Sequence, residues 1–458
     1  MSPPKTWTGP WTRRDLLRCG LSAAAGLSTP RAMLGLLGAA SATAAHAAFT
    51  DYKALVCIFL HGGNDGYNLL VPYDSTRYNR YKAARTNLAL TRSELLPLAP
   101  PLLSLDLYGL HPAMPELQKL YNNDRLAFII NAGTLLAPVT KDEVLAGRNL
   151  PPRLYSHNDQ QDSWVSSRPD ATLRQGWGGR LADLLGSANA NSRVSMNISL
   201  SGNNLFQTGA TSVPYSMSAG GVPAFSALTN ASARTALYRQ LLAQAEAAQA
   251  FERTSSRLVS RSIDLGMEIS TALAGVPELS TEFPADNNLA NQLRMVARMI
   301  AARETLGLSR QVFYVTIGGF DLHDNQLEAH PALLARLSQA MSAFYSATVE
   351  LGVADSVTTF TASDFGRTTT SNGDGSDHAW GSIHCAMGGA VKGGRIYGEY
   401  PDLTLNGPQD VGEGRIIPTT SVEQYGATML RWFGASESEI DVVFPHLSRF
   451  ATRGLGFV

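Results

Sequence analysis

The chain has 458 residues, of which 44% are hydrophobic, 16% charged and 8% aromatic, with a formal net charge of −1. That length and apolar content build a large buried core and exclude a disordered or low-complexity chain. Residues 1–47 carry five basic side chains and one acidic one, so the remainder sets 32 basic against 37 acidic, a net −5 that argues against a nucleic-acid partner.

The N-terminus reads as a targeting segment. Thr12-Arg13-Arg14-Asp15-Leu16-Leu17-Arg18 is a twin-arginine signature, an alanine-rich apolar stretch follows, and Ala45-His46-Ala47 is a small-x-small cleavage signal. Residues 1–47 are therefore expected to be a signal peptide that engages the twin-arginine export machinery and delivers the protein to the periplasm or otherwise outside the cytoplasm. Arg31 interrupts the apolar stretch and no other window offers about 20 apolar residues, so no stable membrane span is expected.

Beyond the signal, apolar β-branched runs alternate with helical patterns. Strands are expected at 54–60, 126–130, 311–317, 356–361 and 383–391, and helices at 115–121, 231–274, 288–305 and 331–351. Leu289, Leu293, Val296, Met299 and Ile300 fall at helical spacing, as do Leu333, Leu334, Leu337, Met341 and Phe344. Residues 187–221, rich in Ser, Asn and Gly, read as loops or an insertion. The alternation predicts an α/β fold with a largely parallel sheet, in a single domain over 48–458. Cys57 and Cys385 sit in apolar runs and read as buried thiols rather than a disulfide framework. No helix pattern specifies an oligomer.

Sheets of this kind bind ligands outside the carboxyl ends of their strands. Four loops there carry the polar residues of interest: Asp65 in HGGNDG, Asp321 and His323 in TIGGFDLHDNQ, Asp364 and Arg367 in TASDFGRT, and Asp377, His378 and His384 in GDGSDHAWGSIHCAMGG. Carboxylates and imidazoles converging from strand ends suit a divalent cation, zinc or manganese for a mixed nitrogen and oxygen set, calcium or magnesium for an oxygen-dominated one. Each residue also has a plainer reading. Asp65 before Gly66 makes an Asx turn, Asp321 and Asp364 cap helices, and His378 beside Trp380 packs in the core. Ser156 and His157 are adjacent in PPRLYSHNDQQDSW and so cannot easily face one point; Ser156 is either a nucleophile or a helix cap. Of the arginines, Arg367 beside Asp364 is the candidate to hold an anion. HGG also occurs in serine esterases, but their Gly-x-Ser-x-Gly turn is missing; Ser216-Met217-Ser218-Ala219-Gly220 lacks the first glycine.

Taken together, FLHGGNDGYNLLVPYD, SHNDQQDSW, GGFDLHDNQ, SDFGRT and DHAWG resemble a twin-arginine-exported family, domain of unknown function 1501, which is similar to the alkaline phosphatase and sulfatase superfamily. The resemblance spans nearly all of the chain after the signal. It implies an alkaline-phosphatase-like fold, a mostly parallel central sheet sandwiched between helices, with one or two metal ions at the strand ends. It implies Asp321, His323 and His378 at a first ion, Asp65 and Asp364 at a second, and Ser156 at the place of the nucleophile. One departure is Phe365, which stands where the superfamily commonly has a histidine. A second ion would lose a ligand there, and would use His157 or His384 instead or be absent. The function implied is an exported metal-dependent hydrolase of small anionic phosphate or sulfate esters. The alternative is a non-catalytic metal- or ligand-binding or assembly protein on the same fold.

Overall fold

Strand β1 (Lys53–Leu60) is buried along all but its first residue. Ala54, Val56, Ile58 and Leu60 enter one core, and Leu55, Cys57 and Phe59 enter another. A strand covered on both faces reads as an unbroken apolar run, which is why 54–60 shows no polar alternation. The computed structural model describes residues 49–99, 107–168, 170, 174–222, 233–245 and 250–458. The expected signal peptide, residues 1–47, lies outside these, as do parts of the expected helix at 231–274. Residues Ala48–Val458 form one unit.

The remaining strands are β2 (Leu70–Pro72), β3 (Leu96–Pro97), β4 (Tyr108–Leu110), β5 (Leu126–Gly133), β6 (Asn197–Ser199), β7 (Tyr215–Ser216), β8 (Arg310–Ile317), β9 (Val357–Ser363), β10 (Ser382–Met387), β11 (Arg395–Tyr397) and β12 (Thr420–Ser421). The main sheet runs β11-β5-β10-β9-β1-β8-β6-β7, with β12 also on β5. β1 pairs in parallel with β8 on one side and β9 on the other. β10 is antiparallel to both β9 and β5. It therefore starts at the edge where β1, β5, β8 and β9 end. His378, read above as a strand-end residue, instead precedes a strand that runs the opposite way, yet reaches the same edge. The expected strand at 383–391 stops at Met387, where Gly388 and Gly389 follow. The stretch 187–221 is not only loop: it supplies β6 and β7, too short to show a period. A small separate sheet runs β2-β4-β3.

Helices cover both faces, so the fold is mixed α/β with a mostly parallel central sheet between helical layers, as the sequence predicts. Helix Asn288–Ala301, capped by Asn287 Oδ1 on the Ala290 amide at 3.2 Å, packs with helix Gln326–Glu350 on the Val56 face through Leu293, Val296, Leu337 and Phe344. The second helix begins five residues before Pro331, the position where the sequence suggested a start. Proline in the second turn costs one intrahelical hydrogen bond. Helices Trp177–Leu185 and Val422–Phe433 pack on the Phe59 face. Cys57 and Cys385 are free and buried. No helix among the described residues is long and apolar enough to cross a membrane.

A buried ionic relay ties the Phe59-face layer together. His446 Nδ1 lies 3.1 Å from Glu423 Oε1 and its Nε2 lies 3.1 Å from Asp170 Oδ2. With a carboxylate at each nitrogen the ring is a double donor, and Glu423 and then Asp170 raise its pKa. Burial also raises that of Glu423, so both groups hold protons more tightly folded than unfolded. The His446 contribution is present below the ordinary histidine pKa and is lost as pH rises through its raised value; that of Glu423 is fully present only below the ordinary glutamate pKa. Asp170 is shifted down, so its contribution is present above the ordinary aspartate value and is lost only in acid. The gap in urea midpoint between wild type and His446→Gln is expected to narrow as pH rises from about 5.5 to about 8.5. A constant gap would contradict the relay.

Candidate metal centre

The four loops at the carboxyl edge fit together through close backbone contact. Gly62 has φ +115°, and a Cβ there would stand 2.3 Å from the Asp321 amide nitrogen. Gly63 has φ +84°, and its Cβ would meet the Phe365 ring at 2.5 Å. These two glycines in HGGNDG let the β1 loop lie directly against the β8 and β9 loops.

Asp321, in the loop after β8, is the focus. Its Oδ1 accepts from Arg367 Nη2 and lies 3.1 Å from His323 Nε2 and 3.2 Å from His378 Nε2, while Oδ2 is 3.4 Å from His157 Nε2. Partial burial works to raise its pKa, but chiefly the Arg367 hydrogen bond and charge hold it at about 2. Its side chain is 47% exposed, so the centre opens to solvent on one side.

Each of the three imidazoles is anchored at Nδ1. His157, the first residue of helix His157–Ser166, meets Asp364 Oδ2 at 2.6 Å. His378 meets the Tyr155 carbonyl at 2.8 Å, and His323 meets Asp377 Oδ1 at 2.9 Å. A carbonyl or an ionised carboxylate only accepts, which assigns the proton of each neutral ring to Nδ1 and leaves a lone pair on Nε2. Burial lowers the pKa of His378, favouring its neutral form. The His323 and His378 Nε2 atoms then face each other at 2.9 Å beside a carboxylate. His157 Nε2 is buried with no hydrogen-bond partner. Arg367 Nη1 stands 3.4 Å from the His323 nitrogen, but the His378 lone pair and the orphaned His157 nitrogen favour a further cation among them. His157, Asp321 and His378 offer donor atoms all within 4.8 Å of one another, and His323 adjoins them. A nitrogen-rich set with one carboxylate fits zinc or manganese.

The other candidates stand apart from these atoms. Asp364, 1% exposed, sits behind His157; its Oδ1 accepts from the Gly62 amide at 3.2 Å and its Oδ2 also accepts from Gln161 Nε2 at 2.9 Å. That is the position of a carboxylate that orients a metal-binding histidine. Asp65 caps the helical turn Gly66–Leu69, accepting from the Tyr67 and Asn68 amides at 3.1 and 3.2 Å, and pairs with Arg85 and Gln326. Arg367, 1% exposed, spends its guanidinium on Asp321 and on the Gly62, Gly63 and Ser376 carbonyls. Ser156 is the N-cap residue of helix His157–Ser166, and its hydroxyl donates to Asp159 Oδ2 at 2.7 Å. As adjacency suggested, His157 faces the centre and Ser156 its own helix. His384 lies within β10, packed on Trp164 and Tyr425, and burial lowers its pKa to about 3; it is a core residue. Phe365 is a platform, its ring centroid 4.8 Å from that of His157 and 4.6 Å from that of His378. Sequence reasoning weighed His157 only as a substitute ligand and gave no role to Tyr155 or Gln161. Beside the centre, and sharing Gln161, is a cleft of about 220 Å³ with His61, Asn203, Asn204, Tyr314 and Thr316 in its lining.

A family described as "Protein of unknown function (DUF1501)" matches residues 52–436. The chain belongs to this family. All of the residues just described fall inside the span shared with DUF1501. No curated protein sequence matches the chain. Among solved structures, Ps i-CgsB, crystallised with k-i-k-neocarrahexaose, overlaps at TM-score 0.35 and 9% identity, covering 85% of this chain and 74% of that one. The PsFucS1 sulfatase from Pseudoalteromonas sp. overlaps at 0.32 and 12%, covering 84% and 68%. The soluble domain of lipooligosaccharide phosphoethanolamine transferase A from Neisseria meningitidis overlaps at 0.32 and 10%, covering 87% and 94%. Overlaps this loose carry no functional argument; the geometry of the edge has to.

That geometry separates ligands from supports. Asp321→Ala is expected to abolish tight zinc binding, whereas Asp364→Asn should weaken it by about 10–100-fold, the usual cost of a lost outer-shell partner. Chelator competition reads both affinities. Equal losses would place Asp364 on the ion itself.

Proposed function

We propose that this protein is an exported hydrolase of small anionic phosphate or sulfate esters, dependent on a divalent metal held by His157, Asp321 and His378 with His323 alongside. The observation that carries this reading is the convergence of three Nδ1-anchored imidazoles on the Asp321 carboxylate, at a solvent-open sheet edge. A divalent ion, when bound, supplies Lewis-acid polarisation of an ester oxygen and eases deprotonation of an attacking hydroxyl. The twin-arginine pair Arg13-Arg14 and the Ala45-His46-Ala47 site support export.

The chain's own residues divide the work. Asp364, the Tyr155 carbonyl and Asp377 fix the ring orientations of His157, His378 and His323. Arg367 holds Asp321 ionised and in place. Ser156 is the candidate nucleophile: Asp159, at 2.7 Å from its hydroxyl, is positioned to take its proton, and attack requires the serine side chain to turn from its own helix toward the centre. The serine oxygen attacks phosphorus or sulfur, the bond to the ester oxygen breaks, and the alcohol leaves. Water then hydrolyses the phosphoryl or sulfo serine ester and regenerates the hydroxyl. The cleft beside Gln161 offers room for the uncharged part of the ester.

A metal-binding protein without turnover is the second reading. It is favoured by Arg367, whose guanidinium is committed to the protein rather than offered to an anion. A panel of aryl phosphate and sulfate esters, with and without added zinc or manganese, separates the two. Metal-dependent turnover is expected, with a loss of at least about 100-fold in Ser156→Ala at unchanged metal content. Turnover retained in Ser156→Ala removes the serine from the mechanism, and tight metal binding with no turnover on any ester favours the second reading.

A further inference from the structure

Two aspartates that follow neighbouring strands, Asp65 after β1 and Asp321 after β8, meet different cations. We infer that the edge takes a single divalent ion, at the His157–Asp321–His378 group, and that the guanidinium of Arg85 is the permanent, built-in cation of Asp65. The inference rests on the metal-centre reading above and adds its stoichiometry.

Helix Ser75–Arg85 delivers Arg85 from its last residue into the interior, where its side chain is 0% exposed and that of Asp65 2%. Every guanidinium nitrogen is used: Nε donates to Asn68 Oδ1 at 3.1 Å, Nη1 to the Thr368 carbonyl at 2.8 Å, and Nη2 to Asp65 Oδ2. The carboxylate is equally full. Its Oδ1 takes the Tyr67 and Asn68 amides, and its Oδ2 takes Arg85 and Gln326 Nε2 at 2.5 Å. Gln326 is itself fixed, accepting from Ser376 Oγ at 2.5 Å. Four donors satisfy all the lone-pair sites of a carboxylate.

An ion at Asp65 would have to displace a guanidinium held by two further buried bonds, or sit beside it, like charge against like charge in a poorly screened interior. Nor does Asp364 offer a free oxygen to such an ion. Asp364 is filled by Gly62, His157 and Gln161, and the residue after it is Phe365, whose ring packs on the imidazoles. Asp321 also meets a guanidinium, that of Arg367, but only at Oδ1; its Oδ2 faces the orphaned His157 Nε2, which is why one group on this edge invites an ion and the other does not.

The test is the metal content of the full chain, loaded with excess zinc, gel-filtered and analysed elementally beside Asp65→Asn and Asp321→Ala. One ion per chain is expected in wild type and in Asp65→Asn, and none in Asp321→Ala. Asp65→Asn should also lower the thermal midpoint, because a buried guanidinium loses its charge partner while the ion count stays at one. Two ions in wild type would overturn the inference and leave the metal centre standing. A single ion lost in Asp65→Asn and kept in Asp321→Ala would overturn both the inference and the metal-centre reading. A wild-type chain that takes up no ion would overturn the metal-centre reading itself. Wild-type stoichiometry alone decides between one and two ions if the Asp65 variant does not fold.

Discussion

The guanidinium of Arg367 is the joint of this molecule. From the loop after β9 it reaches the Gly62 and Gly63 carbonyls after β1, Asp321 after β8 and the Ser376 carbonyl before β10. Three chain segments, two of them far away in sequence, are thereby fixed to one planar group. Arginine suits this place because its donors diverge in a rigid fork and it keeps its charge when buried. Lysine would bring one point charge and could not span the same carbonyls.

Around that joint the electrostatics are arranged by rank. The charged partners, Asp364 and Arg367, are buried and already matched. The three imidazoles and the accessible carboxylate of Asp321 form the outer layer. The unmet nitrogen of His157 thus stands next to the solvent-accessible carboxylate of Asp321. The same logic places Phe365: an apolar ring keeps two imidazoles in position without competing for their nitrogens.

Much of this was legible in the sequence, and the failures share a cause. β1, β8 and β9 were readable because strands buried on both faces are continuous apolar runs ending in polar loops. Asp321 and His378 were readable because polar residues at such ends have few other reasons to cluster. The direction of β10 was not, since an apolar strand looks alike whichever way it runs. The pairing of Asp65 with Arg85 was not legible either. An aspartate in a turn has the same local pattern whether its partner is an ion, an amide or an arginine from the end of a helix 20 positions on. The role of His157 was hidden by position, because it opens a helix rather than ending a strand.

The sheet order carries a consequence for assembly in time. β1 is the first strand of the main sheet to leave the ribosome, yet its two neighbours are β8 and β9. The loop contact between Gly62 and Asp364 closes over 302 positions, and that between Gly62 and Arg367 over 305. A topology dominated by such distant pairings folds slowly, because chain entropy is lost before the contacts form. Until then β1 has no partner strands, and no N-terminal fragment ending before His378 contains the whole His157–Asp321–His378 group. The group thus forms only after most of the chain has been made.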